Sequence, residues 1–322
     1  MKKIIVVLVI LTLALAGCMK KEEEPAAKDK ETIGNKIVVE DIYGKQEFDK
    51  PFTRVAALEW NIVEELLAVG VQPAAVADIE GFNTWVTIDK KLADGIVDVG
   101  QRNEPNIEEI AKAKPDLIIG LKNHEPIKAE LEKIAPVVLF DHASEEATKD
   151  LYQAMIVSLE NTGKLVGKEQ EAKEAIAHLE AQMAEAKTTL AQANLATKEF
   201  LFTQAFTVNE APTFRLFTPN STVSHVLEGM GLTNRMKDQA PQPWGMLETN
   251  VEGVAKYQEA MLLHTVQKED PLFKNLANNK AWNNFAFVKN NEMYDLGGGV
   301  WTFGSVLSAE TLIKNVLTTM TK

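Results

Sequence analysis

The sequence predicts an α/β fold of two lobes joined by one long helix. Three observations carry that expectation. Short β-rich runs alternate with helical runs from Arg54 to Phe140, a strand-free helical stretch fills 144–195, and the alternation resumes at Glu199. Strands separated by helices pair in parallel, because the helix returns the chain across the sheet before the next strand begins.

In the first lobe RVAAL (54–58) reads as a strand and NIVEELLAVG (61–70) as a helix stopped by Gly70. PAAVAD (73–78) and IVDVG (96–100) are the next strands. NIEEIAKAKP (106–115) is a helix ended by Pro115, followed by the strand DLIIG (116–120), the helix IKAELEKIAP (127–136) and the strand VVLF (137–140). The stretch from 144 shows an apolar side at Leu151, Met155, Leu159, Leu165 and Val166. After Gly167 it is rich in Ala, Glu, Gln and Lys. In the second lobe EFLFTQAF (199–206), TFRLF (213–217) and AMLLHTV (260–266) are strands, and STVSHVLEGMG (221–231) and VEGVAKY (251–257) are helices. FAFVKNNEMYDL (285–296) reads as a hairpin turning at Asn290-Asn291, and a helix from Ser305 to Met320 closes the chain. The lobes, 37–143 and 168–322, are each Rossmann-like, with 144–167 as the connecting helix. A single rigid connector predicts little movement. It places a ligand cleft between the lobes, beyond the strand ends.

Ahead of this body, residues 1–17 read as a secretory signal: Lys2 and Lys3, an apolar run from Ile4 to Ala16, then small residues. Leu15-Ala16-Gly17-Cys18 resembles a bacterial lipobox. Cys18 is the chain's one cysteine, so it has no internal disulfide partner and is expected to carry lipid. Residues 18–36 form a charged tether, too poor in apolar side chains to fold. The expected location is the outer face of the cell membrane, on a Gram-positive surface rather than in a periplasm. The net charge of −12 argues against nucleic acid, which requires clustered basic groups.

Nothing recruits an enzyme. The five histidines (His124, His142, His178, His225 and His264) are scattered and read as surface or loop residues. There is no H-E-x-x-H, no metal-ligand spacing and no G-x-S-x-G elbow, and GGGV at 297–300 lacks the Lys-Ser/Thr of a phosphate loop. No metal site and no cofactor of the protein's own is expected. Aromatic and arginine placement is more informative. Trp60, Trp85, Trp244 and Trp301 fall where loops are expected, in both lobes. A tryptophan offers a rigid apolar face with one donor, which suits a bulky ligand. Arg102, one of four arginines, directly follows IVDVG; its fork suits closely spaced oxygens, or else an ion pair with Glu104.

RVAALEWNIVEELLAVGVQPAAVAD, the W-V of NTWV, VDVGQRNEPNIEEI, LFTPNS, PWG and VWTFGSVLSAE together resemble the iron-siderophore/vitamin B12 class of ABC-importer substrate-binding lipoproteins, and within it the ferric-hydroxamate subgroup. The resemblance spans essentially all of the chain after the signal. It implies a monomer that captures ferric hydroxamates and delivers them to a membrane permease, with iron bound only inside the siderophore. It implies ligand contacts at Trp85, Arg102, Trp244 and Trp301. Trp60 either contacts ligand or packs beneath the cleft. A cleft tyrosine falls on His124, which either replaces the hydroxyl or points elsewhere. Glu108 and Glu252 fall on the positions that face permease arginines. Asn106 with Glu109, and Thr249 with Glu252, also match helix capping boxes. Ferric citrate is the alternative cargo, with Arg215 and Arg235 as extra cations. A surface-anchored hydrolase is a distant one, needing Ser221 or Ser305 beside a histidine.

Overall fold

The computed structural model describes residues 36–321. The signal, Cys18 and nearly all of the tether lie outside the described residues. The chain opens with a hairpin, β1 (Ile37–Asp41) and β2 (Gly44–Phe48). The first lobe then runs β3 (Val55–Ala57), α1 (Trp60–Ala68), β4 (Ala75–Val76), α2 (Ile79–Trp85), β5 (Val97–Asp98), α3 (Ile107–Ala113), β6 (Leu117–Leu121), α4 (Lys128–Leu131) and β7 (Val137–Phe140). Its sheet is fully parallel, in the order β5-β4-β3-β6-β7. β3, β6 and β7 are apolar without alternation because helices cover both faces.

Three helices, not one, join the lobes: α5 (Glu145–Lys149), α6 (Leu151–Leu165) and α7 (Glu169–Gln192). Asp150 breaks the run, accepting from the Gln153 N–H as the cap of α6, and Gly167 turns the chain at φ +66° before α7. The second lobe comprises β8 (Glu199–Val208), β9 (Ala211–Phe217), α8 (Thr222–Gly229), β10 (Thr233–Asn234), β11 (Met246–Thr249), α9 (Val251–Val254), β12 (Met261–Thr265), α10 (Leu272–Leu276), α11 (Ala286–Lys289), β13 (Met293–Asp295) and α12 (Val306–Met320). β8 and β9 form a hairpin, β11 extends it antiparallel, and β12 and β13 add in parallel on the other side. The hairpin expected at 285–296 does not form. Residues 286–289 make a helical turn, and β13 pairs with β12 instead. Phe285 and Phe287 are drawn in by Trp282, whose ring lies 5.6 and 5.4 Å from theirs and stacks on Phe214. Burying such a ring contributes roughly 1.5–3 kcal/mol, enough to outweigh a turn preference.

One apolar cluster runs through both lobes, from Trp60, Ile62 and Leu66 on α1 through Leu159 and Leu179 to Leu312 and Val316 on α12. Polar pins cross the same boundary. The Glu64 carboxylate on α1 accepts from Ser305 N (3.0 Å), Ser308 N (2.9 Å) and Ser308 Oγ (2.7 Å), so one lobe caps the last helix of the other. Gly304 leaves room for this, since a Cβ there would collide with Glu64 and Ser308. The neighbouring Glu65 accepts from Thr162 Oγ1 on α6 at 2.6 Å. Both acids are fully buried, and burial pushes Glu64 up to about 7 and Glu65 to about 8, against the pull of these hydrogen bonds. Thr87 N donates to Gly299 O across the boundary at 2.9 Å.

Candidate functional site

The floor of the cleft grows from the end of β3. Glu59 holds the N-cap position of α1, and its carbonyl accepts from Ile62 N and Val63 N, but its side chain makes no cap bond. The carboxylate turns away and accepts from Arg102 Nη1 (2.9 Å) and Asn123 Nδ2 (3.3 Å). Arg102 therefore pairs with Glu59 rather than with Glu104. Its guanidinium lies 3.9 Å over the Trp60 ring, a cation–π arrangement. Trp60 is the first residue of α1, is 3% exposed, and anchors its Nε1 to the carbonyls of Ala77 and Asp78. It supports the arginine from beneath.

His124 does not reach the cavity. It is 1% exposed, and its Nε2 lies 2.7 Å from the Arg102 carbonyl while Nδ1 faces the Leu121 N–H at 3.2 Å. A proton on Nε2 satisfies both bonds. The ring fits inside because Gly120 has no Cβ to meet it. The expected tyrosine-like contact is thus replaced by a brace behind the arginine loop, and the adjacent Asn123 lines the cavity instead. His264 is also buried, at 5%, so two histidines depart from the surface reading.

The second lobe supplies an aromatic wall. Trp301 meets Trp60 edge-on at 4.9 Å and lies 5.7 Å from the Arg102 guanidinium. Phe303 sits 5.4 Å from Trp301, and Trp244 6.4 Å from Phe303. Trp244 is 41% exposed and adopts φ +58°, a left-handed backbone that costs a bulky residue free energy. Trp85 ends α2 rather than occupying a loop. It stands behind Trp301 at 6.4 Å, outside the cavity lining. Leu151 and Met155 of α6 complete an apolar side.

The cavity measures about 430 Å³, within the range of small-molecule sites. Its ionisable lining is Glu59, Arg102, Arg215 and His142. Burial pushes His142 down to about 4, so it presents a neutral ring. Arg215 enters from β9, with Nη1 on Gln204 Oε1 at 3.3 Å and Nε 3.5 Å from Glu248. Arg235 lies outside the cavity and pairs with Glu199. A groove of about 460 Å³ between α7 and α12 has no aromatic wall, so the cleft is the better ligand site. The Ser221 hydroxyl bonds Ser224, and Glu64 holds the Ser305 N–H. Among the described residues neither serine hydroxyl bonds a histidine ring. Among the described residues no group of three or more His, Cys, Asp or Glu is placed to hold a metal, and no helix is long and apolar enough to cross a membrane.

Glu108 and Glu252 stand exposed in the first turns of α3 and α9. Asn106 caps α3 by accepting from Glu108 N and Glu109 N, but Glu109 pairs with Lys112 instead of closing the box. The cap of α9 is Asn250, not Thr249, which frees Glu252 of the expected structural duty.

Two α/β lobes pinned across an aromatic cleft, with arginines from both sides, define a bilobal ligand-binding protein. The chain belongs to the periplasmic binding protein family, matched over residues 55–298. It is 29% identical to the Fe(3+)-citrate-binding protein of Bacillus subtilis, over 97% of this chain and 94% of that one. It is 26% identical to the iron(3+)-hydroxamate-binding protein of Escherichia coli, over 81% and 84% of the two chains. The solved Fe3+–Desferal-bound siderophore-binding protein of Vibrio cholerae superposes with a TM-score of 0.73 at 26% identity, covering 83% of this chain and 97% of that one.

Proposed function

We propose that the protein captures a ferric siderophore in this cleft and delivers it to an ABC importer, performing no chemistry. The carrying observation is Arg102 laid over Trp60 at the foot of the Trp301–Phe303–Trp244 wall. A guanidinium fork suits the oxygens crowded around a chelated ion, and the rings cover the apolar body of the chelator. The siderophore fills the coordination sphere of the iron, so the cavity needs no metal ligands. The relatives' named ligands, Fe(3+)-citrate, hydroxamate and Desferal, support the class of cargo.

Within that class the cargo is a ferric hydroxamate. Glu59 offsets Arg102, and Glu248 stands beside Arg215, which suits a chelate near neutrality. Ferric citrate is the second reading, favoured by Arg215 entering the cavity opposite Arg102. Exposed, unpaired Glu108 and Glu252 are the contacts offered to the permease. Cys18 carries the lipid anchor of a monomer on the outer membrane face; relatives in Bacillus subtilis bear the lipoprotein designation.

Titration of intrinsic tryptophan fluorescence with ferrioxamine, ferrichrome, ferric citrate, a ferric catecholate, haem and cobalamin tests the reading. Saturable one-to-one quenching by a hydroxamate is expected. Quenching by ferric citrate alone replaces the cargo, and silence from every iron chelate removes the function.

A further inference from the structure

We infer that Glu59 sets which charge of chelate the cleft accepts, by cancelling the Arg102 guanidinium beside it. This rests on the siderophore reading and sharpens it.

The position is an unusual one for glutamate. An N-cap favours Ser, Thr, Asp or Asn, whose short side chains reach back to the helix N–H groups. Glu59 makes no such bond. Both of its carboxylate oxygens go to groups that line the cavity, Oε2 to Arg102 and Oε1 to Asn123. The pair sits on the floor, with the Glu59 side chain 10% and the Arg102 side chain 30% exposed. Arg102 is also fixed on Trp60 beneath and by His124 at its carbonyl. Its position therefore does not depend on Glu59 alone, which separates the electrostatic role of the carboxylate from a merely structural one. Asn123 Nδ2 is also 3.4 Å from Asn103 Oδ1, so it keeps a partner if the carboxylate is removed.

Among the cavity-lining side chains, two arginines face one carboxylate, with His142 neutral. Removing the negative charge of Glu59 leaves both arginines facing the ligand. One unit charge about 8 Å from a charged chelate, at an effective dielectric of about 30, alters affinity about tenfold. A neutral chelate is nearly indifferent to that charge. Glu59 thus discriminates against anionic chelates by charge alone, leaving shape selection to the aromatic wall.

The test compares ferrichrome, which is neutral, with ferric citrate, which is anionic, by fluorescence titration of the whole protein and of Glu59→Gln, Arg102→Gln and the double variant. Glu59→Gln is expected to move the ratio of the two Kd values about tenfold towards ferric citrate. Arg102→Gln is expected to move it about tenfold the other way. The double variant restores the wild-type ratio, and it folds even where a single variant suffers, because no charge is left unpaired. An unchanged ratio in Glu59→Gln, or equal loss for both ligands, overturns the inference alone. A wild-type protein that binds neither chelate overturns the inference together with the hydroxamate and citrate readings of the cargo.

Discussion

Replacing Glu64 tests whether the two lobes are held by a directed polar pin or by apolar packing alone. The carboxylate accepts three hydrogen bonds from Ser305 and Ser308, and all three residues are at most 3% exposed. Alanine would orphan two buried N–H groups and one hydroxyl. A buried donor left without a partner costs about 1–3 kcal/mol. Water entering the vacancy and rotation of the Ser308 hydroxyl recover part of this, so Glu64→Ala should lose about 3–5 kcal/mol. That is a large share of the roughly 5–15 kcal/mol that holds a typical domain folded. Glu64→Gln keeps an oxygen for the two N–H groups and turns its NH2 towards the Ser308 oxygen, so it should lose about 1 kcal/mol or less. Urea unfolding at pH 6, followed by far-ultraviolet circular dichroism, reads both values. An alanine variant within about 1 kcal/mol of wild type would refute the pin. A glutamine variant as damaged as alanine would refute a pin that rests on hydrogen-bond geometry.

Two further expectations follow from the same geometry. The buried acids Glu64 and Glu65 keep their protons in the folded chain up to about pH 7 and 8, whereas the unfolded chain releases them near 4.5. Unfolding therefore releases protons in that window, and stability should fall by a few kcal/mol as pH rises from about 5 to 8. A urea midpoint that rises over this range contradicts it, and Glu65→Gln should flatten the slope. Trp244, already 41% exposed on a left-handed backbone, should be replaceable by alanine with a stability change within about 1 kcal/mol. The same change should weaken chelate binding about 10–100-fold, as loss of an aromatic anchor worth about 1–3 kcal/mol does. Calorimetric titration and a melting curve on one sample separate the two effects.

The lobes and most of the cleft were legible because they rest on local pattern. The alternation of strands and helices to Phe140, the closing helix and the glycine-flanked Trp301 were all readable from neighbouring residues. What escaped was set by distant partners. Nothing near ALEWNIVEELL shows that Glu64 and Glu65 are buried, because Ser305, Ser308 and Thr162 lie far along the chain. The inward turn of His124 depends on the missing side chain of Gly120 and on a carbonyl 22 residues away. The failed hairpin at 285–296 reflects Trp282, whose surrounding rings outweigh local turn chemistry. Asp150 and Gly167, by contrast, were ordinary stop signals inside a run that otherwise looked continuous.

The pin at Glu64 has a consequence for cargo handover. One turn of α1 carries both Trp60, the floor of the cleft, and Glu64, the anchor of α12. A wide hinge-like opening would have to break the anchor and tilt the floor together. The gap between the lobes then behaves like a gauge set to one width, and a loaded and an empty molecule present Glu108 and Glu252 at nearly the same spacing. A permease docking on those two acids would have to sense the cargo itself, or how freely the lobes tremble around it, rather than a change in the outline of its carrier.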